Sequence, residues 1–209
     1  MKIIASFDDG ASLDLKLADL LKKYEIPAVF YIPWDLENLK NLKNVKNISS
    51  FLTKPQCLEL SKEFEIGSHT VTHNYLTRIS IQMAQNEIFD SKKYWEDFLG
   101  RPVNKFCYPR GYSNPIVRML VKNAGYQSAR TTIIGHLRES SDPFQETTTL
   151  HVGIDRIEYK NISWELFADK MIAEATEDSI FHIFGHSWEI ENFKDWENVE
   201  NLFKKLTGK

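Results

Sequence analysis

Cysteine is scarce in this chain of 209 residues. There are two, Cys57 and Cys107, too few for a disulfide framework and too far apart for the Cys-x-x-Cys spacing of a zinc knuckle or redox pair. Both are read as small buried apolar residues. Long hydrophobic runs are also missing: nothing approaches the roughly 18 apolar residues of a membrane span. The opening Met1-Lys2-Ile3-Ile4-Ala5-Ser6-Phe7 turns acidic at Asp8-Asp9, too soon for the h-region of a signal peptide. Nor is there an excess of positive charge. Against 29 Asp+Glu stand 26 Lys+Arg, a formal charge of −3 with no basic run, so the electrostatic footprint of a nucleic-acid binder is lacking. The expectation is a cytoplasmic protein without a nucleic-acid partner or transmembrane segment, built as one domain over residues 1–209.

What the chain does have is alternation. Short apolar, β-branched and aromatic runs alternate with longer amphipathic segments, without repeats or low-complexity tracts. Strands are expected at Lys2–Phe7, Ala28–Ile32, Phe64–Ser68, Lys105–Tyr108, Tyr126–Thr132, Leu150–Ile157 and Ile180–Phe184. Helices are expected from Ser12, as N-cap, through Leu21, from Lys54-Pro55, and over Ile79–Leu99, which Gly100 and Pro102 close. Three more follow at Pro115–Asn123, Trp164–Ala175 and Val199–Leu206. Trp34 to Ser50 reads as an excursion and Ile133 to Thr149 as a loop. Repeated strand-helix order predicts an α/β fold with a mainly parallel sheet or barrel, whose active residues sit where strands end.

Four strand ends carry unusual polar residues: Asp8-Asp9-Gly10, His69 with His73, Tyr108-Pro109-Arg110-Gly111, and His182 with Gly185-His186-Ser187-Trp188-Glu189. A parallel barrel would bring all four to one rim. Adjacent carboxylates repel unless a cation or proton separates their roles, although an Asx turn with a helix cap explains Asp8-Asp9 equally well. His69 and His73 are spaced so that a helical turn would stack both imidazoles on one side, as metal ligands or as two surface histidines. Two histidines with one carboxylate make a facial set that leaves coordination positions open. His182 reads as a core histidine, and His136 and His151 as ordinary. Tyr31, Trp34, Tyr75, Tyr112 and Trp188 flank the expected rim, as faces for a ligand to stack on or simply as core or lid packing.

Taken together and in order, these segments resemble the motif pattern of the polysaccharide deacetylases, the NodB-homology or carbohydrate esterase family 4 enzymes, over nearly the whole chain. Ser6-Phe7-Asp8-Asp9-Gly10 resembles the family's Thr-Phe-Asp-Asp-Gly, and Ser68-His69-Thr70-Val71-Thr72-His73 its His-Ser/Thr-x-x-x-His. The resemblance implies a single-domain distorted (β/α) barrel, TIM-barrel-like. It implies Asp8 as catalytic base, and Asp9, His69 and His73 as ligands of one divalent metal, zinc foremost, with cobalt, nickel or iron also accepted by such a donor set.

Phe184-Gly185-His186 resembles the Leu-x-His motif, implying His186 as general acid. Cys107-Tyr108-Pro109-Arg110-Gly111 departs from Arg-x-Pro-Tyr-Gly: Cys107 stands where an arginine usually braces the base, and Arg110 or Arg130 could supply that charge. Tyr108, Pro109, Gly111 and Trp188 are expected to line the substrate, with a backbone N–H near Tyr108 facing the acyl oxygen. The Asp-rich fourth motif is not recognisable, and Asp155 and Glu189 are the candidates for orienting His186.

The implied activity is hydrolysis of N-acetyl groups from an acetylated sugar or oligosaccharide of N-acetylglucosamine type. Rival readings keep the metal but change the substrate, to an O-acetyl ester or a small cyclic imide. Another is a non-catalytic carbohydrate-binding protein. A non-haem iron oxygenase fits worst, because Asp9 lies far from both histidines in sequence.

Overall fold

Seven parallel strands run through the chain in the order β5-β4-β3-β2-β1-β7-β6. They are β1 (Lys2–Asp8), β2 (Ala28–Ile32), β3 (Glu65–Ser68), β4 (Lys105–Cys107), β5 (Ser128–Arg130), β6 (Leu150–His151) and β7 (Ile180–Gly185). The computed structural model describes residues 1–39 and 48–209, so residues 40–47 of the expected 34–50 excursion lie outside the described residues. Helices fill the connections: α1 (Asp14–Lys23), α2 (Leu36–Leu39), α3 (Lys54–Leu60), α4 (Ile81–Leu99), α5 (Pro115–Asn123), α6 (Trp164–Glu174), α7 (Ser187–Asn192) and α8 (Trp196–Thr207). Parallel strands need such crossovers, and with both faces covered they read as continuous apolar runs, as Ala28-Val29-Phe30-Tyr31-Ile32 does.

The sheet curls into an open barrel. Its edges, β5 and β6, do not pair with each other; the seam between them is filled by irregular chain. Thr131 N–H donates to the Glu146 carbonyl and Glu146 N–H to that of Ala129, both at 2.9 Å, while Thr149 N–H reaches the His182 carbonyl on β7 at 2.8 Å. This is the distorted (β/α) barrel expected from sequence.

Alternation along the strands sorts side chains between two compartments. Ala5, Phe7, Phe30, Ile32, Phe106, Ala129, Phe181 and Ile183 join the apolar core beneath the helices. The barrel interior is different: among the described residues Val29, Tyr31 and Cys107 form a small apolar cluster there, beside buried Ser6, Asp8, Arg130 and His182. A polar interior needs internal partners, and Ser6 Oγ and His182 Nε2 provide one pair at 2.9 Å.

Several expected boundaries shift. Helix α1 starts at Asp14 rather than at a Ser12 cap, because the Ser12 hydroxyl bonds Ser50 instead. The strand expected over Leu150–Ile157 ends at His151, where Gly153 (φ +80°) turns the chain away. The strand expected over Tyr126–Thr132 is only Ser128–Arg130, because Thr131 pairs with the seam. Helix α7 was not anticipated, since a six-residue helix is too short for periodicity to declare it. Helix α4 starts at Ile81 rather than Ile79, because the Ser80 hydroxyl caps it by accepting from Met83 N–H at 3.2 Å, and Gly100 ends it as expected, in the left-handed conformation. Among the described residues, no helix is long and apolar enough to cross a membrane.

Candidate active site

The C-terminal ends of the strands form one rim. β1 delivers Asp8 and Asp9, β3 runs into His69 and His73, β4 ends at Cys107, β5 at Arg130, β6 at His151, and β7 runs into His186. Asp9 Oδ1 lies 3.3 Å from His73 Nε2 and 3.7 Å from His69 Nε2, all three side chains being buried. The two imidazoles meet without a helix. Thr70 and His73 adopt left-handed backbone (φ +70° and +57°), bringing the ring centroids to 4.8 Å, and Asp9 is left-handed too at +79°. Such conformations cost about 1–3 kcal/mol each and persist where the surroundings impose them.

Glu87 of α4 does part of the imposing. Its carboxylate accepts from the backbone N–H groups of Val71 (2.8 Å) and Thr72 (2.9 Å), from the Thr72 hydroxyl, and from the Asn74 amide (3.0 Å).

Asp9, His69 and His73 have the chemistry of a metal-ligand set. His69 Nδ1 lies 2.7 Å from the Cys107 carbonyl, an acceptor only, so Nδ1 carries the proton and Nε2 presents its lone pair toward Asp9. Burial and then the neighbouring His73 pull the pKa of His69 down to about 4, so it is neutral as ligation requires. Burial likewise lowers that of His73. Asp9 Oδ1 and His73 Nδ1 are buried and have no hydrogen-bond partner among the described residues. Orphaned buried acceptors are costly, and a cation at the three converging atoms would satisfy Asp9. The other Asp9 oxygen accepts from the Trp188 indole N–H at 3.0 Å, so Trp188 steadies this set rather than only walling a pocket.

Asp8 lies deeper. The Arg130 guanidinium forms an ion pair with its carboxylate. Burial pushes the Asp8 pKa up, but Arg130, His69 and His186 overrule it and hold it at about 2. Arg110 does not make this contact. It is exposed on the rim, its guanidinium 4.9 Å from the Tyr75 ring centroid. The ladder between β4 and β5 explains the choice: Cys107 and Arg130 are register partners, so the arginine absent from position 107 is replaced by one beside it on the next strand. The small thiol leaves the room, its Sγ 3.0 Å from the guanidinium and 3.6 Å from Asp8. Cys107 is therefore buried as expected, but in a polar setting.

His186 faces both carboxylates, its Nε2 3.9 Å from Asp8 and 3.8 Å from Asp9. Its Nδ1 donates to Glu189 at 2.6 Å. Burial pulls its pKa down, but the charges of Glu189, Asp9 and Asp8 raise it to about 10. Of the two candidate orienting acids, Glu189 makes this contact. Asp155 is exposed and accepts from Trp164 N–H at 2.7 Å, at the start of α6.

His151, read as ordinary from sequence, is part of the site: its Nε2 lies 2.8 Å from the same Glu189 oxygen. Arg156 approaches His151 Nδ1 at 3.2 Å, and a guanidinium can only donate, so Nε2 carries the proton and donates to Glu189. Its place at the end of β6 was the signal available. Ser187 donates to buried Asp14, tying α7 and with it Glu189 to the start of α1.

Other expected substrate contacts are placed differently. Tyr108 is buried, its hydroxyl donating to Phe144 at 3.0 Å and its N–H to the Arg130 carbonyl at 3.1 Å, so that N–H is not available to an acyl oxygen. Pro109 is buried at the head of a one-turn 3-10 helix. Gly111 (φ +76°) stands where a Cβ would come within 2.8 Å of Thr132 N, so its need for glycine is packing against Thr132. Tyr31 lies in the barrel interior and Trp34 packs on Trp95. A cavity of about 340 Å³ at the opposite, N-terminal mouth is walled by Lys2, Ser6, Lys105 and His182 and touches none of the metal-ligand set.

Comparison with known proteins agrees with this geometry. Residues 1–129, more than half the chain, match the family profile described as polysaccharide deacetylase. The chain belongs to the polysaccharide deacetylase family. Among curated relatives, the peptidoglycan-N-acetylglucosamine deacetylase of Bacillus cereus is 32% identical over 154 residues, 72% of this chain and 66% of that protein. The YxkH protein of Bacillus subtilis, itself named only by inference as a polysaccharide deacetylase, is 28% identical over 62% of this chain and 44% of its own length. The chain thus spans somewhat under two thirds and under half of these relatives. The Xyl-CE4 domain of a multidomain xylanase from the hindgut metagenome of Trinervitermes trinervoides shares the fold, with a TM-score of 0.65 at 17% identity over 99% of this chain and 82% of that one. The matched span covers the positions of Asp8, Asp9, His69 and His73 and ends before Arg130, His151, His186 and Glu189.

Proposed function

We propose that this chain is a metal-dependent hydrolase that removes acetyl groups from N-acetylated saccharides of N-acetylglucosamine type and releases acetate. The observation that carries the reading is one convergence. An Asp-His-His ligand set with neutral imidazoles, an anionic carboxylate in Asp8 and a cationic imidazole in His186 face one another within 4 Å. Family membership and the name of the 32%-identical relative support the choice of acyl substrate.

Asp9, His69 and His73 would hold the ion, with Trp188 and Glu87 steadying the ligands. When bound, a divalent ion there supplies Lewis acidity, lowering the pKa of water and polarising an acyl carbonyl. Asp8, kept ionised by Arg130, accepts the proton of the attacking water. His186, kept charged by Glu189, delivers a proton to the departing sugar nitrogen, which cannot leave as an anion. Glu189 also fixes the ring so that Nε2 points at the reacting centre. Acid and base are thus set by environment, one pKa pushed down and the other up.

The test is acetate release by the purified protein from N-acetylglucosamine oligomers, from O-acetylated xylan fragments and from a cyclic imide. Release from the N-acetylated sugar in preference to the ester supports the proposal. Preferential ester cleavage would reassign the site to O-acetyl groups, and imide opening to small C–N bonds. Saccharide binding without turnover of any of the three would favour the non-catalytic reading.

A further inference from the structure

The base, one metal ligand and the acid of the proposed site come from the turns after β1 and β7. These strands are parallel neighbours, with Phe7 and Gly185 as register partners, so Asp8, Asp9 and His186 leave the sheet side by side. From Asp9 the chain turns left-handed and runs on to Asp14, the first residue of α1. His186 leads directly into α7, whose first residue is Ser187. Between the two turns the Ser187 hydroxyl donates to Asp14 Oδ1 at 2.5 Å, and both residues are fully buried.

Two features give this bond more than a packing role. First, α7 has only six residues, and a helix that short does not hold itself in water. In its first turn, Trp188 donates to Asp9 at 3.0 Å and Glu189 accepts from His186 and His151, so these bonds end on the groups that need placing. The Ser187 bond ends instead on α1, whose buried Leu17, Ala18 and Leu21 belong to the apolar core. Second, a carboxyl group is a costly choice at position 14. Its Oδ2 is buried with no hydrogen-bond partner among the described residues. Burial holds the Asp14 pKa well above the usual carboxylate range against the pull of the Ser187 hydroxyl, and the charges of Asp9 and Asp8 add to the rise. Leucine has the same branched outline and would fill the place without either cost. Packing alone favours leucine; holding Ser187 requires the oxygen.

We infer that Asp14 is a positioning residue for the reaction: through Ser187 it anchors the start of α7 to α1, and so fixes where His186, Trp188 and Glu189 stand relative to Asp8 and Asp9. The inference rests on the deacetylase reading for the reaction that is positioned. His186 Nε2 lies 3.9 Å from Asp8 and 3.8 Å from Asp9, and a misplacement of about 1 Å at a reacting centre can cost about a hundredfold in rate. Asp14 touches neither the metal-ligand set nor the space for substrate; it acts through Ser187 alone.

The experiment compares wild type with Asp14→Asn, Ser187→Ala and the double variant Asp14→Leu/Ser187→Ala. Three readings are taken: acetate release from N-acetylglucosamine oligomers by the metal-loaded protein, urea unfolding, and the NMR signals of the Trp188 indole N–H and the His186 ring in the metal-free protein. The double variant replaces both hydrogen-bonding partners by apolar groups, so its urea midpoint should hold or rise. Its kcat should nevertheless fall at least about tenfold with KM within about twofold, because the acid is displaced while substrate contacts elsewhere remain. Ser187→Ala should lose as much kcat as the double variant, since the two side chains act as one unit. Asp14→Asn keeps an oxygen for Ser187 and should retain most of the kcat. A double variant with wild-type kcat, or an Asp14→Asn variant that loses as much as the double, overturns the inference while leaving the deacetylase reading intact. Should the double variant fail to fold, Ser187→Ala, which deletes a single oxygen, decides by the same readings. If the wild type releases no acetate, the deacetylase reading fails and the NMR signals still decide the anchor. Displaced Trp188 and His186 signals in the double variant, with wild-type signals in Asp14→Asn, support it, and any other pattern overturns it.

Discussion

Replacing Glu189 by glutamine should lower the pKa of His186 while leaving its ring in place. Glu189 is buried and its Oε2 accepts two short hydrogen bonds, from His186 Nδ1 at 2.6 Å and from His151 Nε2 at 2.8 Å. Glutamine keeps the shape and one acceptor oxygen but removes the charge. A hydrogen bond to a charged group contributes about 1.5–3 kcal/mol, and one pKa unit corresponds to about 1.4 kcal/mol. The His186 pKa should therefore fall by about one to two units from its value of about 10 in the metal-free protein. The sign follows from the role: His186 acts as an acid only when protonated, so activity is lost as pH rises through its pKa, and the variant should lose it at lower pH. Two assays read this shift: NMR titration of the His186 ring in the metal-free protein, and the alkaline limb of the pH–rate profile for acetate release. An unchanged or raised His186 pKa in Glu189→Gln would refute the argument that Glu189 holds the proton on this ring.

Three further outcomes are expected. Arg130→Gln leaves the Asp8 carboxylate buried without its partner and should destabilise the fold by about 3–5 kcal/mol in denaturant unfolding. Arg110→Gln, on the exposed rim, should stay within about 0.5 kcal/mol, and equal effects would contradict the assignment of Arg130 as the brace. Glu87→Gln should weaken metal binding about 10–100-fold by loosening the Val71–Asn74 turn, with secondary structure by circular dichroism unchanged; unaltered affinity would show that the turn holds itself. In the metal-free protein, His69 and His182 have folded pKa values lowered to about 4 and about 3. Unfolded imidazoles take protons near pH 6.5, so this contribution is complete above about pH 6.5 and drains away as pH falls toward 4, at up to about 1.4 kcal/mol per pH unit for each group. Urea midpoints that stay flat across that window would contradict the buried neutral state.

How much was legible follows the physics of each signal. Asp8-Asp9-Gly10 and His69 with His73 are local words at strand ends, and sequence reading found them together with the barrel that unites them. The brace of Asp8 could not be read so directly. Whether Arg110 or Arg130 serves depends on strand register, which pairs Cys107 with Arg130 across two strands 23 residues apart. Glu189 was one of two candidates because its helix is only six residues long, and His151 was passed over because its strand is only two. Glu87 was invisible: an acidic residue on an amphipathic helix looks like any solvated one until the turn it clamps is folded against it. The substrate expectations for Tyr108 and Pro109 came from the family resemblance, and burial at these positions assigns both to packing.

The most direct measurement of the central claim is metal content by elemental analysis alongside acetate release from N-acetylglucosamine oligomers, for wild type, His73→Ala and Asp8→Asn. The account predicts about one divalent ion and turnover for wild type, loss of both for His73→Ala, and retained metal without turnover for Asp8→Asn. A wild type that releases acetate without metal, or an Asp8→Asn variant that keeps wild-type turnover, would contradict it.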